Sequence, residues 1–234
     1  MSLERHLLKD IEDNPDSDAP RMLYADWLAN HGQEARAEFI SLQCSLATLP
    51  RDETCAAELV ARERQLLELY KDEWLRPVRL CLDVRPSEPI TFHFHRGLVE
   101  EARGVPAPRF LGRAEALFDL APTLRRVRLS PVTTGNLLAL AASPYAGRLL
   151  FLGLDRNGLD DDAAAALADA AGLERLLDLD LSNNRITDAG ADVLLASPHR
   201  RGLRRLGLLG NPCAPKADRL KELAGRSPRP LTIY

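Results

Sequence analysis

The sequence is poor in features that mark several large classes of protein. Aromatic residues make up only 5% of its 234 residues and are not interleaved with basic ones, which gives little support to recognition of single-stranded RNA. No apolar run reaches the roughly 18 residues of a membrane-spanning helix, and the N-terminal residues contain no apolar signal region. We therefore expect a cytoplasmic protein with no membrane partner.

Metal, disulfide and enzyme motifs are missing as well. The four cysteines form no CxxC pair, which fits neither a zinc site nor a disulfide framework. The sequence contains no GxSxG, HExxH, Walker or dinucleotide-binding motif. The pair His93 and His95 lacks a third metal ligand nearby and is predicted to be an exposed or partner-facing strand surface. We expect no cofactor, no metal and no catalysis by this chain.

Charge is plentiful but unevenly distributed. The net charge is -3, with -8 over residues 1–75 and +5 over residues 76–234. The lack of a basic excess disfavours a nucleic acid as the partner. The change of charge near Pro77 predicts a helical domain over 1–76 and a second domain over 77–234.

Four helices are predicted in the first domain. The first follows Ser2, with its apolar face at Leu3, Leu7, Leu8 and Ile11. The second begins near Pro20, and Gly32 ends it. The third covers 33–47 and the fourth covers 54–70 after a break at 50–52, with Trp74 and Leu75 expected to close the bundle.

The second and third predicted helices carry a recognisable pattern. It consists of Pro20-Arg21, Tyr24-Ala25-Asp26-Trp27-Leu28, Gly32, Arg36-Ala37-Glu38-Phe39-Ile40 and Leu42-Gln43. This pattern resembles the repeat-companion domain, a bacterial family of planctomycetes and myxobacteria that occurs beside repeat modules. The resemblance implies a helical domain with repeats next to it, and it implies no reaction.

The polar residues of this pattern allow two interpretations. Asp26, Arg36 and Glu38 can form a charge cluster between the two helices, with Trp27 and Phe39 packed in the seam. We favour this structural interpretation. The alternative is an active site built from the only dense polar group of the domain, which comprises Tyr24, Asp26, His31, Arg36 and Glu38.

Leucine repeats dominate the second domain. The pattern LxxLxLxxNx(L/I) begins at Leu149, Leu176 and Leu203, 27 residues apart, and a weaker copy begins at Leu124. Ala/Leu-rich segments between the copies indicate a helix in every repeat. The pattern resembles the ribonuclease-inhibitor class of leucine-rich repeats. The resemblance implies an α/β fold, a right-handed solenoid whose short strands line a concave face.

Both ends of the repeat array need caps. We expect an irregular N-terminal cap over 77–123 with a strand at 90–95. A C-terminal cap over 212–234 is expected to hold a helix at 216–224 and a strand at 231–234.

Within the repeats, polar residues are predicted to support the backbone. Asn157, Asn184 and Asn211 follow the strands, where their amides can satisfy backbone groups. Helix caps are predicted at 160–162 and 187–188.

Strand alternation turns the residues between the leucines out of the core. Stacking the strands in register predicts three rows: Arg126, Phe151, Asp178 and Arg205; Arg128, Gly153, Asp180 and Gly207; Ser130, Asp155, Ser182 and Leu209. Phe151 and Leu209, if exposed, are candidate anchors for a partner. The alternative is that the arginines pair with the aspartates of the same face. The candidate partner-binding residues are Arg126, Arg128, Phe151, Asp155, Asp178, Asp180, Ser182, Arg205 and Leu209.

These features together predict a non-catalytic adaptor that binds a protein partner through the concave face. One alternative is a regulatory or targeting subunit of an enzyme carried on another chain. A nucleic-acid-binding module has less support. It would use the basic clusters Arg125-Arg126-Arg128 and His199-Arg200-Arg201-Arg204-Arg205.

Overall fold

A computed structural model describes residues 2–49, 54–200, 202–213 and 231–234 of the chain. The chain divides into two compact units. The helical unit comprises Met1–Pro86, Phe92–Glu101 and Ala116–Thr123, and the repeat unit comprises Ser87–Thr91, Ala102–Glu115 and Leu124–Tyr234.

The fold belongs to the α/β class, as expected. Eight α-helices occur in the described part of the chain: α1 (Leu3–Asp13), α2 (Ala19–Ala29), α3 (Glu34–Thr48), α4 (Thr54–Cys81), α5 (Ala107–Leu120), α6 (Thr134–Ala142), α7 (Asp161–Ala168) and α8 (Asp188–Ala196). None of these helices is long and apolar enough to cross a membrane.

Seven strands form one open sheet in chain order: β1 (Thr91–His95), β2 (Leu98–Val105), β3 (Arg126–Leu129), β4 (Phe151–Gly153), β5 (Asp178–Asp180), β6 (Arg205–Gly207) and β7 (Thr232–Ile233). The strands from β3 to β7 pair in parallel. The predicted strand near the end of the chain is therefore confirmed as β7. The helix predicted at 216–224 and the break predicted at 50–52 lie outside the described residues.

The four helices predicted in the first domain are present. The hydroxyl of Ser2 accepts a hydrogen bond from the amide of Arg5 (3.4 Å) and caps α1, as its sequence position suggested. The fourth helix is longer than predicted, because α4 continues past Tyr70 and Pro77 to Cys81. The domain boundary expected after residue 76 therefore falls inside a helix.

Packing explains why α4 continues. Trp74 lies on the extra turns, with its ring centroid 4.9 Å from Phe39 and 6.2 Å from Phe94. Leu75 and Val78, on the same turns, are buried. Burial of such large side chains stabilises a helix through tertiary contacts, which outweigh the local cost of a proline.

The predicted charge cluster on the second and third helices is wrong. The guanidinium of Arg36 lies among three rings, 4.8 Å from the centroid of Trp74 and 4.9 Å from that of Phe94. Burial there lowers the pKa of Arg36 to about 10. Glu38 instead accepts two hydrogen bonds from Arg62 on α4, at 2.6 and 2.7 Å. Arg36 thus binds to aromatic rings, whereas the sequence pattern predicted that it would pair with a carboxylate.

The segment predicted as an irregular cap is regular. Strands β1 and β2 are joined by the two-residue turn Arg96-Gly97, in which both residues have positive φ angles (47° and 81°). The amide of Gly97 donates to Oε1 of Gln43 on α3 (2.6 Å). Helix α5 follows, and the sequence had not predicted it.

A buried ion pair joins the end of this hairpin to α2. Nη2 of Arg21 donates to Oε1 of Glu100 (2.9 Å), and Nη1 donates to the carbonyl oxygen of Ser17 (2.9 Å). Arg21 is fully buried, and the Glu100 side chain is 4% exposed. Removing one partner of such a pair leaves an uncompensated buried charge, which destabilises the fold.

Leucines and asparagines organise the repeat unit. The leucines of the repeat pattern are all buried, and Leu152, Leu179 and Leu206 are at most 1% exposed. Asn184 accepts from the amides of Asn157 and Leu159, both at 3.0 Å. Its Nδ2 donates to the carbonyl oxygens of Leu154 (2.9 Å) and Leu181 (2.8 Å). The structural role predicted for the repeat asparagines is confirmed.

The predicted helix caps are also present. The side chain of Asp160 accepts from the amide of Ala163 (3.3 Å) at the start of α7, and Thr187 accepts from Ala189 (3.3 Å) at the start of α8. Asp161 has a further role, because its Oδ1 accepts from the amide of Thr187 (2.8 Å). One carboxylate thus connects two successive repeats.

Replacing Gly97 with alanine should destabilise the protein strongly. A Cβ at this position would lie 2.5 Å from Cα of Ile40, and the φ of 81° disfavours any side chain. We expect the free energy of unfolding to fall by roughly 2–4 kcal/mol, measured by urea denaturation.

Gly32→Ala is the matched control for this substitution. Gly32 also has a positive φ, of 75°, but nothing lies within 4 Å of a Cβ placed there. The free energy of unfolding of Gly32→Ala should fall by only about 1 kcal/mol. Equal losses in the two variants would show that the close approach of Gly97 to Ile40 is unimportant.

Candidate functional site

The parallel strands bring the predicted site residues onto one side of the sheet, which we call the sheet face. Arg126 pairs with Phe151, Phe151 with Asp178, and Asp178 with Arg205. The second predicted row, from Arg128 across Gly153 and Asp180 to Gly207, has the same register. The stacking inferred from the sequence is therefore the observed one for these two rows.

Phe151 is not exposed, contrary to expectation. Its side chain is covered by two arginines of the neighbouring strand, and the residue is only 5% exposed. The guanidinium carbon of Arg126 lies 4.5 Å from the ring centroid, and that of Arg128 lies 5.6 Å from it. Two cations over one ring give this aromatic group a structural role, which removes it as an anchor for a partner.

Most charges of the sheet face are satisfied internally. Nη1 of Arg128 donates to Oδ1 of Asp155 and lies 3.2 Å from Oδ2 of Asp180. Arg205 donates to the carboxylate of Asp178. Pairing within the face, which the sequence left as an alternative, is therefore observed for both arginines.

The acidic residues and Ser182 contribute little free surface. Asp178, Asp180 and Ser182 are each less than 10% exposed, and Oδ1 of Asp180 accepts from the amide of Ser182 (3.0 Å). The carboxylates of Asp178 and Asp180 hold Arg205 and Arg128 in place. A partner would contact these arginines before it reached the aspartates.

One end of the sheet face exposes apolar surface. Leu209 is 66% exposed, and Tyr234 beside it is 46% exposed. The amide of Leu209 donates to the carbonyl oxygen of Tyr234 (3.0 Å), which fixes the two residues next to each other. The side chain of Arg205 is 55% exposed even though it is paired. The three residues form a mixed apolar and basic patch.

The tyrosine in this patch is anchored from below. Its hydroxyl lies 3.5 Å from Oδ1 of Asp178, and its ring passes close to Gly207, where a Cβ would lie 2.9 Å from Cε2. Burial and the nearby carboxylate raise the pKa of Tyr234 to about 12. Tyr234 is therefore a neutral hydroxyl near pH 7, and Gly207 leaves room for its ring.

Two of the five residues in the basic cluster of the last repeat have partners within the protein. Arg200 is buried, and its guanidinium donates to the carbonyl oxygens of Leu173 (2.7 Å), Ala170 (3.2 Å) and Leu167. Burial lowers the pKa of Arg200 to about 10. Arg200 therefore serves the fold, Arg205 is paired with Asp178 although it stays half-exposed, and Arg201 lies outside the described residues.

Four of the five polar residues of the helical unit have separate contacts of their own. The hydroxyl of Tyr24 lies 3.4 Å from Oε1 of Glu4, and Nδ1 of His31 donates to the carbonyl oxygen of Trp27 (2.7 Å). Arg36 and Glu38 have the separate contacts described above. A cleft of about 380 Å³ in this unit is lined by Gln43, Leu46, Val60, Glu63 and others, and by none of the five polar residues of the catalytic alternative.

No metal site is evident in the part of the chain that the structure describes. There, no three His, Cys, Asp or Glu side chains lie together in an arrangement that could hold a metal ion. His93 and His95 both point from the exposed side of β1, in line with the predicted exposed strand surface.

We compared the chain with known proteins. No protein-family model, curated protein or solved structure matches it. Any statement about its function therefore depends on the residues themselves.

Two features of the sheet face were missed in the sequence. The first is the stacking of Arg126 on Phe151, although the predicted register placed these residues side by side and arginine commonly stacks on aromatic rings. The second is the contact of Tyr234 with Asp178, which no repeat signal could reveal because the tyrosine follows the last repeat.

Replacing Phe151 with leucine should test the structural role of this ring. The change removes the π face under two guanidinium groups and leaves unfilled volume in a buried position. We expect the free energy of unfolding to fall by about 1–2 kcal/mol in urea denaturation. Leu209→Ala, an exposed position on the same face, should change it by less than about 0.5 kcal/mol. Equal losses at the two positions would contradict the burial of Phe151.

Proposed function

We propose that this protein is a non-catalytic adaptor that binds a protein partner through the sheet face of its repeat unit. In this proposal the repeat unit is a right-handed solenoid of the ribonuclease-inhibitor type, and the sheet face is its concave side. The helical unit is a repeat-companion domain, and the chain acts in the cytoplasm.

The observation that carries the proposal is the patch of Leu209, Tyr234 and Arg205. A lone exposed leucine is ordinary on a protein surface, but here a leucine and a tyrosine are exposed side by side, next to an arginine. Tyrosine and arginine are enriched among the residues that contribute most to binding energy at protein interfaces. The composition of the patch suits a protein partner better than a small molecule.

The rigidity of the surroundings supports the same proposal. Arg205 and Tyr234 both contact Asp178, which is 4% exposed. Their side chains are thereby ordered before any partner arrives, which lowers the entropic cost of association. A preformed patch on an open sheet offers a broad surface for a folded protein.

The proposal is tested by identifying a partner and then measuring its affinity. A pull-down from the native host with the full chain supplies the candidate, and calorimetry with the purified proteins gives the dissociation constant. Leu209→Asp and Arg205→Glu should each weaken binding at least tenfold, because each places a negative charge in the patch.

Leu138→Asp is the matched control, since Leu138 is 56% exposed on helix α6 of the same unit. Its affinity should equal that of the unchanged protein. If the control loses as much affinity as the patch variants, or if the patch variants retain full affinity, the sheet face is not the binding surface. A partner with catalytic activity altered by binding would identify the chain as a regulatory subunit.

A further inference from the structure

The arginines of the sheet face differ in what they contact. Arg128 is bound by Asp155 and Asp180, and Arg205 is bound by Asp178. Arg126 lies in the same row as Arg205 but has no carboxylate partner among the described residues. Its guanidinium lies over the ring of Phe151.

The contact with Phe151 leaves the hydrogen-bonding groups of Arg126 available. A guanidinium that stacks on a ring uses its flat face, while its five N–H groups lie in its plane and point away from the ring. The guanidinium carbon of Arg126 lies over the ring, 4.5 Å from its centroid, so the ring restricts the positions that this side chain can take. Its planar fork of donors matches a carboxylate bidentately.

We propose that Arg126, held against Phe151, binds an acidic side chain of the protein partner. The partner thus carries an Asp or Glu opposite the β3 end of the sheet face. This inference rests on the proposed function, and it assigns the chemistry of one contact within it.

The spacing of the contacts describes the partner further. Arg126 and Arg205 lie in one row, three strand spacings apart, which corresponds to about 14 Å. A partner that reaches Arg126 and also covers Leu209 must span the whole sheet face. A folded protein surface with an acidic residue at one end and apolar groups at the other meets this requirement.

A nucleic acid fits this face less well. Asp155, Asp178 and Asp180 lie on the same face, where they are bound by Arg128 and Arg205. A phosphate backbone carries a closely spaced row of negative charges and needs several arginines to bind it, whereas Arg128 and Arg205 are already paired with these carboxylates. A single carboxylate on a protein surface can approach Arg126 without facing all three.

The test is an NMR titration of the full chain labelled with ¹⁵N-arginine, with sodium acetate as the carboxylate probe. Sodium chloride keeps the ionic strength constant, and Arg126→Lys assigns the Nε–H signal by its loss. We expect the Arg126 signal to shift saturably, at least twice as far as those of Arg128 and Arg205. Phe151→Leu should reduce this shift at least twofold, because the stacking surface is lost.

The outcomes separate this inference from the proposed function. The assignment of the carboxylate contact is wrong if the Arg126 signal does not shift, or if the signal of Arg128 or Arg205 shifts as far. Loss of partner binding in Leu209→Asp would still support the adaptor in that case. A second titration compares hexaglutamate with a twelve-residue oligothymidylate. Tighter binding of the oligothymidylate, lost in Arg126→Lys, would overturn the acidic protein partner in favour of a phosphate backbone.

Discussion

Each repeat must satisfy the backbone groups that become buried where the chain leaves its strand. A buried amide or carbonyl without a partner costs about 1–3 kcal/mol, so this requirement constrains every repeat. Asn157, Asn184 and Asn211 meet it by bridging adjacent repeats: the Oδ1 of each accepts an amide of the preceding repeat, as Asn211 does from Ile186 (3.0 Å). Strand register, leucine burial and the position of the sheet face all depend on this bridging.

The register in turn determines what the sheet face can do. Because the strands align, arginines and aspartates from different repeats meet, and most of them neutralise one another. The face is consequently ordered and nearly neutral rather than strongly charged. Two parts of the face remain available to a partner: the patch around Leu209 and Tyr234, and Arg126, which lies over the ring of Phe151. That combination favours a protein partner with both apolar and acidic groups.

The sequence was most informative where local patterns and tertiary packing agree. The periodic leucines and asparagines predicted the strands and their register, and capping residues such as Ser2 predicted helix starts. Predictions failed where a distant contact decided the outcome. Aromatic packing around Trp74 extends α4, and the rings that surround Arg36 lie far from it in the chain. Phe151 was expected to be exposed because strand alternation indicates only the side to which a residue points, whereas its burial depends on the neighbouring arginines.

The central claim, that asparagine bridges fix the stacking of the repeats, is tested most directly by hydrogen exchange in Asn184→Ala. The amides of Asn157 and Leu159 lose their acceptor in this variant, so both should exchange faster, and the free energy of unfolding should fall by roughly 2–5 kcal/mol. In Asn211→Ala, the amide of Ile186 should exchange faster instead, because it loses its acceptor. Unchanged exchange at Asn157 and Leu159 in folded Asn184→Ala would contradict the account, because leucine packing alone would then hold the register.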